Sequence, residues 1–368
     1  MAGQIKHYFA RGNTAAGLYT LYDSVLSGLD TVFVINGRSG SGTSQLLSEL
    51  AEAWEDTNWT KHYIHEALDH NRLEGIILEE ARIAIIDGNA WSADPILEGT
   101  ELRILDISQA LRDELLEEAE EGTEAEEQEM ASLYKNAYDS FLRTLRIHDE
   151  WEKFYIDNLD REEANQITSE FADEYLIPIS TKKAKITRRF LGAATCQGAV
   201  DYVPNLTESL RTRIFVKGRP GSGKSTMFKK LAKEAEARGI DTEIYHCGFD
   251  PNSLDMLIFP ELSLAIFDST APHEHFPSRE GDSILDVYEL AIHEGTDEAY
   301  AEEISEIRGR YASSMKSSIA ILSDVKRIRD EAWEAYDAAI DIHALKAFAS
   351  QIVRQVEELT NSSTVSKE

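Results

Sequence analysis

The chain has 368 residues, of which 42% are hydrophobic and 28% charged, and a formal net charge of −30. That length exceeds one ordinary hydrophobic core and suits two domains, while the acidic balance excludes a protein that coats nucleic acid by general electrostatic attraction. No apolar run approaches membrane-spanning length, MAGQIKHYFARGN lacks an apolar signal core, and Cys196 and Cys247 are the only cysteines; a cytoplasmic protein with no membrane partner and no disulfide framework is expected.

In chain order, the apolar run Thr31 to Ile35 reads as a strand, followed by the Gly-rich loop NGRSGSGTSQ from Asn36 to Gln45. Ile83 to Ile86 form another buried strand closing on Asp87. From about Ile104 to Ala172 the chain is rich in Ala, Glu, Leu and Lys and reads as helices. Its acidic stretch, Asp113 to Glu129, reads as a solvated face or mobile linker rather than a partner-binding tail. TKKAKIT, Thr181 to Thr187, with Lys182, Lys183, Lys185, Arg188 and Arg189, reads first as a solvated linker and second as a polyanion contact.

Ile214 to Val216 then lead into KGRPGSGKST, Lys217 to Thr226. This fits the phosphate-loop pattern G-x-x-x-x-G-K-[ST], and Gly218, Arg219, Pro220, Gly221, Ser222, Gly223, Lys224, Ser225 and Thr226 are the expected nucleotide contacts. Glycines let backbone N–H groups turn toward a phosphate, Lys224 reaches the β- and γ-phosphates, and Ser225 holds Mg²⁺. Phe228, Leu231, Ala232 and Ala235 recur at helical spacing behind the loop, so the positive helix N-terminus faces the anion. A second strand is expected over Glu243 to Cys247, and a third over Leu264 to Phe267, ending on Asp268 as the second Mg²⁺ group. The sequence leaves open whether that strand lies beside the loop strand or one strand away, which separates kinase-like from motor-like sheet orders. A second helical block runs from about Ile284 to Leu359.

One register relates the two halves. Gly37 and Gly218 are 181 positions apart (218 − 37 = 181), and the same offset maps Phe9 onto Phe190, Gly40, Ser41, Gly42 and Ser44 onto Gly221, Ser222, Gly223 and Ser225, His65 onto His246, Asp69 onto Asp250 and Asp87 onto Asp268. A repeat this long is a duplicated domain. The expected fold is α/β, with tandem phosphate-loop domains at 1–181 and 187–368, each a mostly parallel sheet with helices on both faces. An internal pseudo-dimer of the two copies is a further expectation. Copy one carries Thr43 where copy two has Lys224, and a hydroxyl does not replace a full charge, so copy one is not expected to hydrolyse. It is either a structural half or a regulatory nucleotide site.

Asp250 is a candidate for orienting the attacking water, against an Asx turn ahead of Pro251. His273 and His275, with His246 and Cys247, are zinc-ligand types without a closed tetrahedral spacing, and copy one has Ser92 and Asp94 instead of the histidine pair. Arg279 is read as a surface salt bridge before a γ-phosphate contact.

GNTAAGLYTLYDS (Gly12 to Ser24), the second loop, YHCGFDPNSLDMLIFPEL (Tyr245 to Leu262) and FDSTAPHEHFPSREGD (Phe267 to Asp282) together resemble a poorly characterised bacterial, Bacillus-type family of duplicated P-loop ATPases. The similarity covers nearly the whole chain and implies ATP binding in a cytoplasmic protein. Members usually keep the lysine in the first loop as well, and Thr43 departs from that. The expected function is Mg-dependent ATP hydrolysis in the C-terminal copy, with Lys224, Asp268 and Asp250 as catalytic candidates. The alternatives are a nucleotide-dependent switch or scaffold with negligible turnover and an unknown partner, or a kinase of a small metabolite or nucleotide.

Overall fold

In the computed structural model the described residues are 3–38, 42–91, 99–112, 115, 123–178, 181–271 and 273–365. Gly40, Ser41, Ser92, Asp94 and the acidic residues Asp113, Glu117, Glu118, Glu120 and Glu121 lie outside them.

Short apolar runs become the strands of two six-stranded sheets. In the first, β1 (Ile5–Tyr8), β4 (Thr31–Asn36), β5 (Lys61–His65), β6 (Leu73–Leu78), β7 (Ile83–Asp87) and β8 (Glu101–Asp106) lie in the order β1-β5-β6-β7-β4-β8. In the second, β9 (Ile186–Phe190), β12 (Thr212–Lys217), β13 (Thr242–His246), β14 (Leu254–Phe259), β15 (Leu264–Asp268) and β16 (Asp282–Asp286) lie in the order β9-β13-β14-β15-β12-β16. Only β6 and β14 run against their neighbours in these sheets, and both sheets carry an irregularity at the same repeat position, between Ile64 and His65 and between Tyr245 and His246. Two hairpins, β2 (Arg11–Thr14) with β3 (Gly17–Thr20) and β10 (Gly192–Thr195) with β11 (Gly198–Asp201), obey the same 181-residue offset. The molecule is thus an α/β protein with two similar, mixed, mostly parallel sheets. Among the described residues no helix is long and apolar enough to cross a membrane.

The compact units do not follow the division expected at 181–187. One comprises Met1–Ala10, Leu26–Tyr134 and Leu322–Glu368; the other comprises Arg11–Val25 and Lys135–Ile321. The reason lies in which helix covers which sheet. In the second unit, helix Arg161–Tyr175, from the first repeat, contributes Ile167, Phe171 and Ala172, with Leu176 just behind, to a core with Ile214, Phe228, Leu231, Leu257 and Ile266. In the first unit, helix Ile342–Val365, from the second repeat, packs Leu345, Phe348, Ala349, Ile352 and Val356 against Phe33, Leu46, Leu47, Leu50 and Ile85. These two helices start 181 positions apart, so they are the same helix of the repeat, exchanged reciprocally. Each is fixed at its start by an aspartate whose side chain accepts two backbone N–H groups, Asp160 from Glu162 and Glu163, and Asp341 from His343 and Ala344.

At the edge of the second sheet, Arg213 on β12 donates to both oxygens of Asp282 on β16, at 2.7 and 2.6 Å, while Ser278 and Arg279 donate backbone N–H groups to the same carboxylate. The Arg213 guanidinium holds the Asp282 carboxyl down to about 2 from its ordinary 3.8. A depressed carboxyl stabilises the fold above its unfolded value and loses that contribution as pH falls through the folded one. The pair is therefore expected to contribute about 2 kcal/mol near neutrality. Urea unfolding should show Asp282→Asn less stable than the parent by about that amount near pH 6, with the difference closing toward pH 2; a gap that persists undiminished in acid would contradict the pairing.

Candidate functional site

In the second unit β12 ends on Lys217 and the chain turns through Gly218 to Gly223 into helix Lys224–Ala237. Gly218 is required by crowding, since a Cβ there would lie 2.6 Å from Ser222 Oγ and 2.8 Å from Val287 Cγ2. Gly223 has φ +90°, a left-handed turn that releases the helix directly behind the loop. The Ser222 hydroxyl donates to the Arg219 carbonyl at 2.8 Å, and the Arg219 guanidinium is anchored on Asp297 at 2.9 Å and over the Tyr288 ring.

Lys224 is only 8% exposed; its ammonium donates to the Arg219 carbonyl at 3.0 Å and lies 3.6 Å from Asp268 Oδ2. Ser225 Oγ accepts the Leu254 backbone N–H at 3.0 Å, so it faces β14 with its own proton still to donate. β15 lies immediately beside β12, with Val216 opposite Asp268, and Thr270 donates its backbone N–H and hydroxyl to Asp268 Oδ1. The residues that follow the apolar strand to Asp268 thus reach the same end of the sheet as the loop. Asp250 accepts from Asn252, the Asx turn anticipated ahead of Pro251, and also lines the cleft in front of the loop. That cleft has a volume of about 1550 Å³, and every loop residue from Gly218 to Thr226 lines it.

Two groups escaped the sequence reading. Asp255, on β14, is one step beyond the Met256–Phe267 pair and so lies across from Asp268. It is 8% exposed, and burial, with the Asp268 charge acting in the same direction, pushes its carboxyl up to about 6. The available signal was an acid inside an otherwise apolar strand, repeated as buried Glu74 in copy one. The other group, His148, Asp149 and Glu152, comes from helix Thr123–Ile156 of the first repeat. Gly221 has φ +78°, and a Cβ there would sit 2.4 Å from the Glu152 carbonyl oxygen. Burial lowers the His148 imidazole and raises the Glu152 carboxyl.

Other candidates are engaged elsewhere. His273 Nδ1 and His275 Nε2 each lie 3.0 Å from an oxygen of Asp201, whereas His246 Nδ1 is 2.7 Å from the Pro251 carbonyl and its Nε2 is 3.0 Å from Arg188. His273 and His275 thus share Asp201, His246 is held elsewhere, and Cys247 Sγ accepts the Phe249 N–H, so the four suggested zinc ligands do not converge on one another. Arg279 donates to the carbonyls of Thr207, Glu208 and Leu210 and sits 3.8 Å from Asp282, which makes it a brace for the β16 edge. In the basic cluster Lys182 pairs with Asp241 and Glu261, and Arg189 with Glu243.

The first unit repeats the backbone and changes the contents. Gly42 has φ +85°, Ser44 Oγ accepts the Leu73 N–H at 3.0 Å, and Asp87 accepts from Asn89. Thr43 is buried where Lys224 stands in the second unit. Arg38 donates to Tyr336 at 2.9 Å, and Ile340 packs on Gly42. Arg329, 4% exposed, pairs with Glu66 at 2.5 Å and Asp69 at 3.6 Å, and Trp333 lies under both Arg72 and Arg329.

No protein-family model matches the chain, and neither a curated protein nor a solved structure matches it.

Proposed function

We propose that the second unit is an Mg-dependent, ATP-hydrolysing P-loop centre and that the first unit is its degenerate counterpart. The observation that carries this reading is the convergence, in one cleft, of Lys224 at 3.6 Å from Asp268 with Ser225 at the head of the same helix. Backbone N–H groups of Gly221 to Ser225 cradle the phosphates at a helix N-terminus. Lys224 exchanges its Arg219 carbonyl for a phosphate oxygen and carries positive charge to the transferring group. Ser225 and Asp268 are the residues to hold Mg²⁺, an oxygen-seeking ion whose contribution is charge neutralisation at the phosphates. Asp250, fixed by its turn and lining the cleft, would orient a nucleophile. The resemblance to duplicated P-loop ATPases points the same way.

Titration with a fluorescent ATP analogue and Mg²⁺ is expected to show one site per chain. Thr43→Lys should leave the count at one, because Tyr336 and Ile340 are packed at the other loop. Absence of any binding would reject the reading, and two equal sites would reject the degenerate status of the first unit.

A second reading, transfer of the phosphoryl group to a small metabolite or nucleotide, is favoured by two observations. The cleft, about 1550 Å³, exceeds the ~300–1,000 Å³ common for a single ligand. β15 directly beside β12 is the kinase-like neighbour relation.

A further inference from the structure

We propose that His148, Asp149 and Glu152 hold a first-row divalent cation of the Mn²⁺ class, supplied to the second unit's cleft by the first repeat's helix. His148 and Glu152 are one helical turn apart and share a face, with Nδ1 and Oε1 at 3.6 Å. One ligand atom from each of the three residues lies within 4.8 Å of the others. An imidazole with two carboxylates is a mixed N/O donor set, which suits Mn²⁺ or a neighbouring transition ion better than the all-oxygen shells of Ca²⁺ and Mg²⁺.

The independent pointer to a cation comes from the other unit. There the 181-residue offset places Arg329 at the position of His148, Asp330 at that of Asp149 and Asp69 at that of Asp250. The Arg329 guanidinium lies 2.5 Å from Glu66, 3.2 Å from Asp330 and 3.6 Å from Asp69, so this constellation holds a positive group in the first unit. In the second unit both aspartates are kept, Cys247 stands at the position of Glu66, and the arginine is replaced by a histidine that is a metal ligand type. No Lys or Arg forms an ion pair with Asp149, Glu152 or Asp250 among the described residues. Glu152 adds a carboxylate where the first unit has Trp333.

The supports are rigid, as a metal site requires. The Glu152 backbone packs on Gly221, the His148 ring packs 5.7 Å from that of Tyr311, and Tyr155 on the same helix donates to Asp297 at 2.7 Å. Glu152 also rests on the loop itself, which puts a bound cation beside the phosphates. That last role rests on the nucleotide reading above; binding of the ion does not.

The test is Mn²⁺ alone, titrated into the nucleotide-free full-length chain and followed by the electron paramagnetic resonance of free Mn²⁺. The parent protein is expected to bind one ion at this site. Glu152→Gln and the exposed Asp149→Asn should weaken it by roughly 10- to 100-fold. His148→Arg, which installs the first unit's own solution, should abolish it while leaving the melting temperature equal or higher. Failure of the parent to bind Mn²⁺, or equal binding by Glu152→Gln, Asp149→Asn and His148→Arg, would overturn the proposal. A later failure of ATP binding would touch only the nucleotide reading.

Discussion

Lys224→Ala is expected to reduce phosphate release from Mg·ATP by roughly 10²- to 10³-fold, the loss seen when one pre-organised charge-stabilising donor is removed from a phosphoryl- or acyl-transfer site. The expectation follows from placement. The ammonium is nearly buried, is held by the Arg219 carbonyl and has one carboxylate, Asp268, within ion-pair distance, so little reorganisation separates it from a phosphate. Nucleotide binding should weaken in the same samples, since the lysine meets the phosphates in the ground state as well. Melting should change little, because the loop is held by Ser222, by the Arg219–Asp297 pair and by the helix behind it. Unchanged turnover in clean protein would remove the second unit's claim to be the catalytic half. Binding without turnover in the parent would direct attention to the switch or phosphotransfer readings and to the missing acceptor.

The loop, the helix behind it and the strand ending on Asp268 were legible in the sequence because each is a local pattern: glycines, a 3.6-residue stripe and an apolar run closed by one acid. The duplication was legible because one offset preserves all of these. The pairing of β12 with β15 was not, since a buried parallel strand looks the same at either position in a sheet. Nor was the helix exchange. The stripe Ile167, Phe171 and Ala172 announces that it will be covered, but periodicity does not say by which sheet. His148, Asp149 and Glu152 were hidden for the same reason. They lie in a stretch that reads only as helix, and only the exchanged packing brings them to Gly221. The identity of the groups at the first loop was similarly out of reach, because Tyr336 and Ile340 act on a loop almost three hundred residues upstream in sequence.

Phe171→Ala is expected to destabilise the second unit by about 3–5 kcal/mol, although the residue belongs to the first repeat. Its ring is buried among Phe228 and Leu231 neighbours and stacks on Tyr175 at 4.7 Å, and truncation leaves a void that the sheet cannot collapse to fill. Hydrogen exchange should show the loss in β12, β14 and helix Lys224–Ala237, with β4 and β7 of the first unit keeping their protection. Phe348→Ala is the reciprocal change and should loosen β4, β7 and helix Thr43–Ala53 instead. If each substitution loosened the sheet of its own repeat, the exchange would be wrong and the two halves would be ordinary tandem domains. If the reciprocal pattern holds, a chain cut between 181 and 187 would leave each sheet without its covering helix. Loss of several buried apolar side chains at about 1.5–3 kcal/mol each rivals the whole ~5–15 kcal/mol stability of a domain. Neither half would then fold cooperatively as a monomer, and mixing the halves would restore both units. The degenerate half would be kept because the second unit's fold, and the helix bearing His148 and Glu152, come from it.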